Sequence, residues 1–154
     1  MLSTDSDEFN ATSFRRHRHD VLNQLQLVRA YLQMERTEDA ITMIDQTAQW
    51  LQSLALWQIN FGYFGERLMW VAATCPNVYL KDVASELELT DECLTELEAW
   101  LVAVQHLLAQ QGGNVYLSIS AQGKGFAILL DSQAPNLPLE VWHNTYETLH
   151  FNTL

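Results

Sequence analysis

Apolar residues recur at helical spacing through the first third of the chain. Val21, Leu25, Val28 and Leu32 follow one another at alternating steps of four and three. A helix turns each residue by roughly 100°, so these four form a narrow seam. His19, Asn23, Gln26 and Ala30 gather on the opposite side of the same cylinder and face water. This first helix is expected to run to about Met34, with Ser3, Asp5 and Ser6 as alternative caps at its start. Glu35-Arg36-Thr37 makes a short break, with Thr37 as N-cap and Glu38 and Asp39 complementing the dipole of the next helix. Ile41, Ile44, Ala48, Leu51 and Ala55 repeat along that second helix, and Trp50, Leu54 and Trp57 widen its apolar face. So short a connection between two long helices predicts an antiparallel hairpin.

A lone hairpin leaves these faces wet, and each large side chain so exposed forgoes about 1.5–3 kcal/mol. A second copy is the simplest cover, giving a four-helix bundle about a two-fold axis. The rest of the chain is the other possible cover, but it has its own core to build.

Beyond Gln58 the helical pattern is interrupted by Gly62 and Gly65, and Cys75-Pro76-Asn77 turns into a short apolar edge strand at Val78-Tyr79-Leu80. Thr90-Asp91-Glu92 starts a helix carrying Leu94, Leu97, Leu101, Val104 and Leu108, which Gly112-Gly113 ends. Val115, Leu117 and Ile119 alternate with polar residues, Gln122 to Gly125 turns, and Phe126 to Leu130 returns as the second strand of a β-hairpin. Pro135 and Pro138 mark a loop, and the tail from Leu139 reads equally as helix or strand. The expected fold class is α+β, with a helical hairpin over 11–57 and a small α/β domain over 58–154.

Charge changes the picture. The 154 residues carry a net charge of −11, which argues against a general nucleic-acid binder and against an anionic membrane surface. Yet three of the eight Lys and Arg sit at Arg15, Arg16 and Arg18, around His17 and His19. The apolar run Leu68 to Ala73 is far too short to span a bilayer. The acidic start of the chain is unlike a secretory or transit peptide. Cys75 and Cys93 fit no disulfide-rich or metal-ligand spacing. A cytoplasmic protein with no metal site of its own is expected.

An exposed His with an Asn one turn on, an Asp beside it and arginines around it suits phosphoryl chemistry. A neutral imidazole is a good nucleophile near neutral pH, and its phosphoramidate can pass the group onward. Asp20 can accept from the far ring N–H, although neighbours in sequence do not share a helix face. Asn23 can donate to a phosphoryl oxygen, and the arginines can neutralise charge on the group in flight. His17 lies beside the apolar seam and reads as a packing residue; paired with His19 it makes a poor metal site, since positions two apart on a helix diverge. His106, His143 and His150 have no partner pattern and read as structural.

The stretch Arg18-His19-Asp20-Val21-Leu22-Asn23-Gln24-Leu25-Gln26, followed by Tyr31-Leu32-Gln33, resembles the sporulation initiation phosphotransferase B family and the related citrate-type sensor histidine kinases. The resemblance is closest over about 14–57. It implies a cytoplasmic histidine phosphotransferase of a bacterial phosphorelay, homodimeric through a four-helix bundle. Such a protein moves a phosphoryl group between response-regulator aspartates through phosphohistidine. On this reading His19, Asp20 and Asn23 are catalytic, while Arg15, Arg16, Arg18 and Gln26 contact the phosphoryl group or the partner. The partners would be response-regulator receiver domains, which would also bring the Mg²⁺.

The same resemblance makes the second domain a degenerate, truncated version of the kinase ATPase domain. Ala99 and Ala103 stand where the kinase pattern offers asparagines, and Asp131-Ser132-Gln133-Ala134-Pro135 lacks its glycines. The chain ends before a second glycine-rich box. An ATP site needs close backbone approach to phosphate and ligands for Mg²⁺, so no ATP binding is expected. A sensor-type kinase with a divergent ATP site and a non-catalytic response-regulator-binding protein are the alternative functions.

Overall fold

The computed structural model describes residues 3–84, 87–132 and 136–154, with the side chains of 3–7 and 132 left aside. The expected capping side chains Ser3, Asp5 and Ser6, and Gln133, Ala134 and Pro135 of the glycine-poor turn, lie outside what it describes. The fold is α+β, as the sequence implied: α1 (Ser3–Gln33) and α2 (Thr37–Asn60) form an antiparallel hairpin, followed by a small mixed sheet with its helices.

The connection between α1 and α2 is closed by hydrogen bonds from Arg36 N–H to the Tyr31 carbonyl (2.8 Å) and from Glu35 N–H to that of Leu32 (3.1 Å). Glu35 takes the left-handed conformation, φ 60°, that this helix ending requires. Thr37 is not the N-cap. The chain leaves the closing turn at Arg36, whose carbonyl accepts the first bond of α2 from Ala40, so Thr37 is already helical. No side chain caps α2; Arg36 instead pairs with Asp39 at 2.7 Å.

The seam expected on α1 divides in two. Val21 and Val28 are half-buried, with Gln24 between them accepting a hydrogen bond from the Thr47 hydroxyl of α2. Leu22, Leu25 and Leu32 remain exposed, as do Ile41, Ile44 and Leu51 on α2. On each helix the exposed stripe stands about 100° round from the face that meets the other, in the same rotational sense. Because the helices run antiparallel, both stripes open on one side of the hairpin.

The second half of α2 is covered by the rest of the chain. Trp50 donates its indole N–H to the Ala72 carbonyl (3.2 Å), and the Ser53 hydroxyl accepts from Leu80 N–H (2.8 Å). Trp57 stacks on Phe61 with centroids 5.1 Å apart. After α2, a 3₁₀ turn (Gly62–Phe64) leads into α3 (Gly65–Ala72). A Cβ at Gly65 would come within 2.2 Å of the Gln58 carbonyl oxygen, so only glycine lets α3 fold back this closely.

The sheet runs in spatial order β1 (Val78–Val83), β2 (Val115–Gln122), β3 (Gly125–Ser132), β4 (Leu149–Thr153). The β2–β3 pair is the expected antiparallel hairpin, and β1 and β4 each join parallel at an edge. Between β1 and β2 runs α4 (Asp91–Gln111), capped by the Thr90 hydroxyl, which accepts from Cys93 N–H. Its Leu97, Trp100, Leu101 and Val104 are buried with Leu117, Ile119, Ile128 and Phe151 of the sheet. The tail turns out to be both elements: a short α5 (Leu139–Thr145), then β4. Glu96 of α4 secures that turn by accepting from the backbone N–H groups of Glu147 and Thr148, 2.9 and 2.8 Å away.

Candidate functional site

The helical phase of α1 turns His19 away from both α2 and the sheet, and 72% of its side chain is exposed. Its Nδ1 lies 3.5 Å from Asp20 Oδ1 and 3.4 Å from Asn23 Nδ2. Both contacts are long for hydrogen bonds, and they ask for opposite tautomers. Asp20 holds a proton on Nδ1 and leaves the Nε2 lone pair free. The Asn23 amide, as a donor, needs Nδ1 bare and puts the proton on Nε2. Nε2 makes no hydrogen bond or ion pair among the described residues, so the Nδ1–H form is the one that leaves a nucleophile open to solvent.

The three residues expected to be catalytic are thus brought together on one exposed patch. Asp20 bridges two environments, being only 26% exposed while His19 beside it is open. It also faces His17, whose ring packs edge-on to Trp50 with centroids 4.7 Å apart. Burial lowers the His17 pKa, against the opposing pull of the Ala73 backbone and the Asp20 charge. His17 is therefore a packing residue, as its place beside the seam suggested.

Arg15, Arg16 and Arg18 are exposed and form no ion pair among the described residues. Arg15 lies one turn before His19, where side chains four apart become neighbours. Arg16 takes another direction, lining a cleft with Val71 and Thr74 of the α3 region. Gln26 is exposed two turns beyond His19 and has no hydrogen-bond partner among the described residues. Neither the packing of Trp50 against His17 nor the meeting of α3 with α1 at Arg16 has a signature in the residue pattern. The first is a contact between the two helices of the hairpin, and the second depends on the fold-back at Gly65.

Among the described residues, no group of three or more His, Cys, Asp or Glu side chains could hold a metal ion. None of their helices is long and apolar enough to cross a membrane. Ala99 and Ala103 are exposed on α4. The arrangement offers an accessible imidazole with a carboxylate and an amide at its far nitrogen, flanked by unpaired guanidinium groups. That is equipment for a nucleophile toward an anionic electrophile.

No curated protein matches the chain. Residues 5–55 match the family model described as the sensor kinase SpoOB-type, alpha-helical domain. The match takes in most of α1 and α2, including the whole His19 patch, and stops before the sheet. This hairpin is thus similar to the alpha-helical domain of SpoOB-type proteins, a family of sporulation and sensor-kinase-related phosphorelay proteins, and the match supports the resemblance read from the His19 stretch.

Proposed function

We propose that this protein is a histidine phosphotransferase, carrying a phosphoryl group from the aspartate of one response regulator to that of another through His19. The observation that carries this reading is the exposed His19 ring, with Nε2 open and Asp20 and Asn23 at Nδ1. With the proton on Nδ1, the Nε2 lone pair attacks phosphorus in line with the acyl phosphate. The N–P bond forms as the P–O bond to the donor aspartate breaks, and that carboxylate leaves. Asp20 stabilises the positive charge that develops on the ring. The Asn23 amide is then free to turn toward a phosphoryl oxygen, and Arg15 and Arg18 offset the charge of the transferring group. Transfer to the acceptor aspartate is the reverse of this step. Carboxylates and Mg²⁺ come from the receiver-domain partner.

The exposed stripes on one side of the hairpin fit a second copy, closing a four-helix bundle in the cytoplasm. In this reading 11–57 serves dimerisation and phosphotransfer, and 58–154 is a degenerate ATPase-like unit. The exposed Ala99 and Ala103 offer neither a donor nor a metal ligand to a nucleotide, which favours a phosphotransferase over an ATP-dependent kinase.

The test is transfer of label from a panel of phosphorylated receiver domains, with the His19→Gln protein in parallel. The wild type is expected to acquire an acid-labile, base-stable label, and His19→Gln none, with its helical circular dichroism unchanged. Asn23→Ala should slow transfer by about one to three orders of magnitude. Label on the His19→Gln protein would remove His19 from the mechanism. Regulator binding with no label at all would leave a non-catalytic binding protein, and labelling from Mg-ATP alone would restore the kinase.

A further inference from the structure

A cleft of about 480 Å³ opens between the start of α1 and the helices α3 and α4. Phe9, Val71 and Val102 make its apolar walls. Arg16 and Ser13 supply hydrogen-bond donors from α1, three residues apart and so neighbours on one side of the helix. Ser13 is 96% buried, from a relative exposure of 4%, and its hydroxyl makes no hydrogen bond among the described residues. Arg16 forms no ion pair among them, although the chain carries a net charge of −11. The Thr74 hydroxyl is already donating to the Val71 carbonyl at 2.7 Å.

A hydroxyl that opens on the cleft from a largely buried serine and an exposed guanidinium beside it can both donate into the cleft, and a carboxylate has two oxygens to offer them. Glu8 stands on the cleft two turns before Arg16, about 12 Å along the helix. Its charge opposes a second anionic group at that end. We propose that this cleft binds an amphipathic monocarboxylate, its head on Arg16 and the Ser13 hydroxyl and its aliphatic body against Phe9, Val71 and Val102. The site goes beyond the phosphotransfer reading and does not depend on it.

Calorimetric titration of the full chain with sodium decanoate tests the site, with succinate as the dianionic comparison. Decanoate is expected to bind saturably, one to one, with a Kd below about 1 mM, and succinate to give no saturable heat. Arg16→Ala should weaken decanoate about tenfold or more, through loss of the charge-assisted contact. Arg15→Ala removes the same charge one residue away and should leave the affinity unchanged. Val102 is an exposed rim residue, so Val102→Trp should fill the opening and abolish binding while the melting temperature holds. The proposal is overturned by no saturable heat up to ~10 mM decanoate. It is equally overturned by equal losses in the two arginine variants, by undiminished binding in Val102→Trp, or by succinate binding as tightly as decanoate.

Discussion

On α4, Leu97, Trp100, Leu101 and Val104 are completely buried beneath the sheet, whereas Leu22, Leu25, Leu32, Ile41 and Ile44 of the hairpin leave about half of their surface in water. The two regions draw on the same residue types at the same helical spacing. What separates them is whether the chain supplies its own cover. The sheet covers α4 and reaches back over the second half of α2. It leaves the first half of α2, and the α1 stripe opposite, without cover among the described residues. Scattered exposed leucines are ordinary on a protein surface, but two parallel stripes opening on one side are the form an interface takes.

The largest effect that would break this contrast comes from placing charge in the stripes. Leu25→Asp combined with Ile44→Asp should dissociate the proposed dimer, since unpaired carboxylates buried at an interface cost several kcal/mol. Sedimentation should fall from about twice the 17.7 kDa chain mass to the chain mass, with helical circular dichroism retained. A wild type that sediments as a monomer at micromolar concentration would leave the stripes without the proposed occupant.

Next in size, Trp100→Ala should cost about 3–5 kcal/mol in urea unfolding, because its cavity opens in a closed core. Leu25→Ala in dilute protein should cost less than about 1 kcal/mol. Equal losses would mean that the exposed stripe is already covered in solution.

Ser53→Ala probes the junction between the two regions. It leaves the Leu80 N–H buried without an acceptor, at a cost of about 1–3 kcal/mol, and should speed amide exchange at Leu80. Unchanged exchange there would show that water replaces the hydroxyl.

The smallest effect is a pH slope. The folded-state pKa of His17 is lowered, so the unfolded chain binds its proton first as pH falls through the ordinary histidine range. Stability from this group is therefore complete above that range and declines on acidification below it. Melting temperature should drop less between pH 7 and pH 5 in His17→Gln than in the wild type. A steeper drop in the variant would reverse the assignment.

Periodicity made the hairpin legible, and it put His19 and Asn23 on the solvent side because both positions follow from the phase of a single helix. Thr90 was legible as a cap because its own side chain makes the capping bond, the hydroxyl accepting from Cys93 N–H three residues on. Thr37 misled, since the bond from Arg36 N–H to Tyr31 fixes where α1 closes, and that bond has no side-chain signature. The division of the seam between Val21 and Val28 on one hand and Leu25 and Leu32 on the other was equally hidden. A helical repeat identifies an apolar face but does not say which edge of it the neighbouring helix takes. The direction of Arg16 and the burial of Trp50 depend on α3 folding back, a long-range event recorded only in one glycine. The tail was ambiguous because two short elements share a stretch in which neither completes its period.

The bonds from Trp50 to Ala72 and from Ser53 to Leu80 also bear on how this architecture can be taken apart. A SpoOB-type hairpin looks like a portable cassette, with a natural cut just after its second helix. Here a cut after Trp57 would strip that helix of its sheet-side cover, baring two indoles and a serine that ordinarily meets a strand. The excised piece would be stickier than the parent and prone to self-association unrelated to the native pairing. Chimeras that graft this hairpin elsewhere should carry the sequence through Leu80, so that the fold-back at Gly65 and the first strand travel with it.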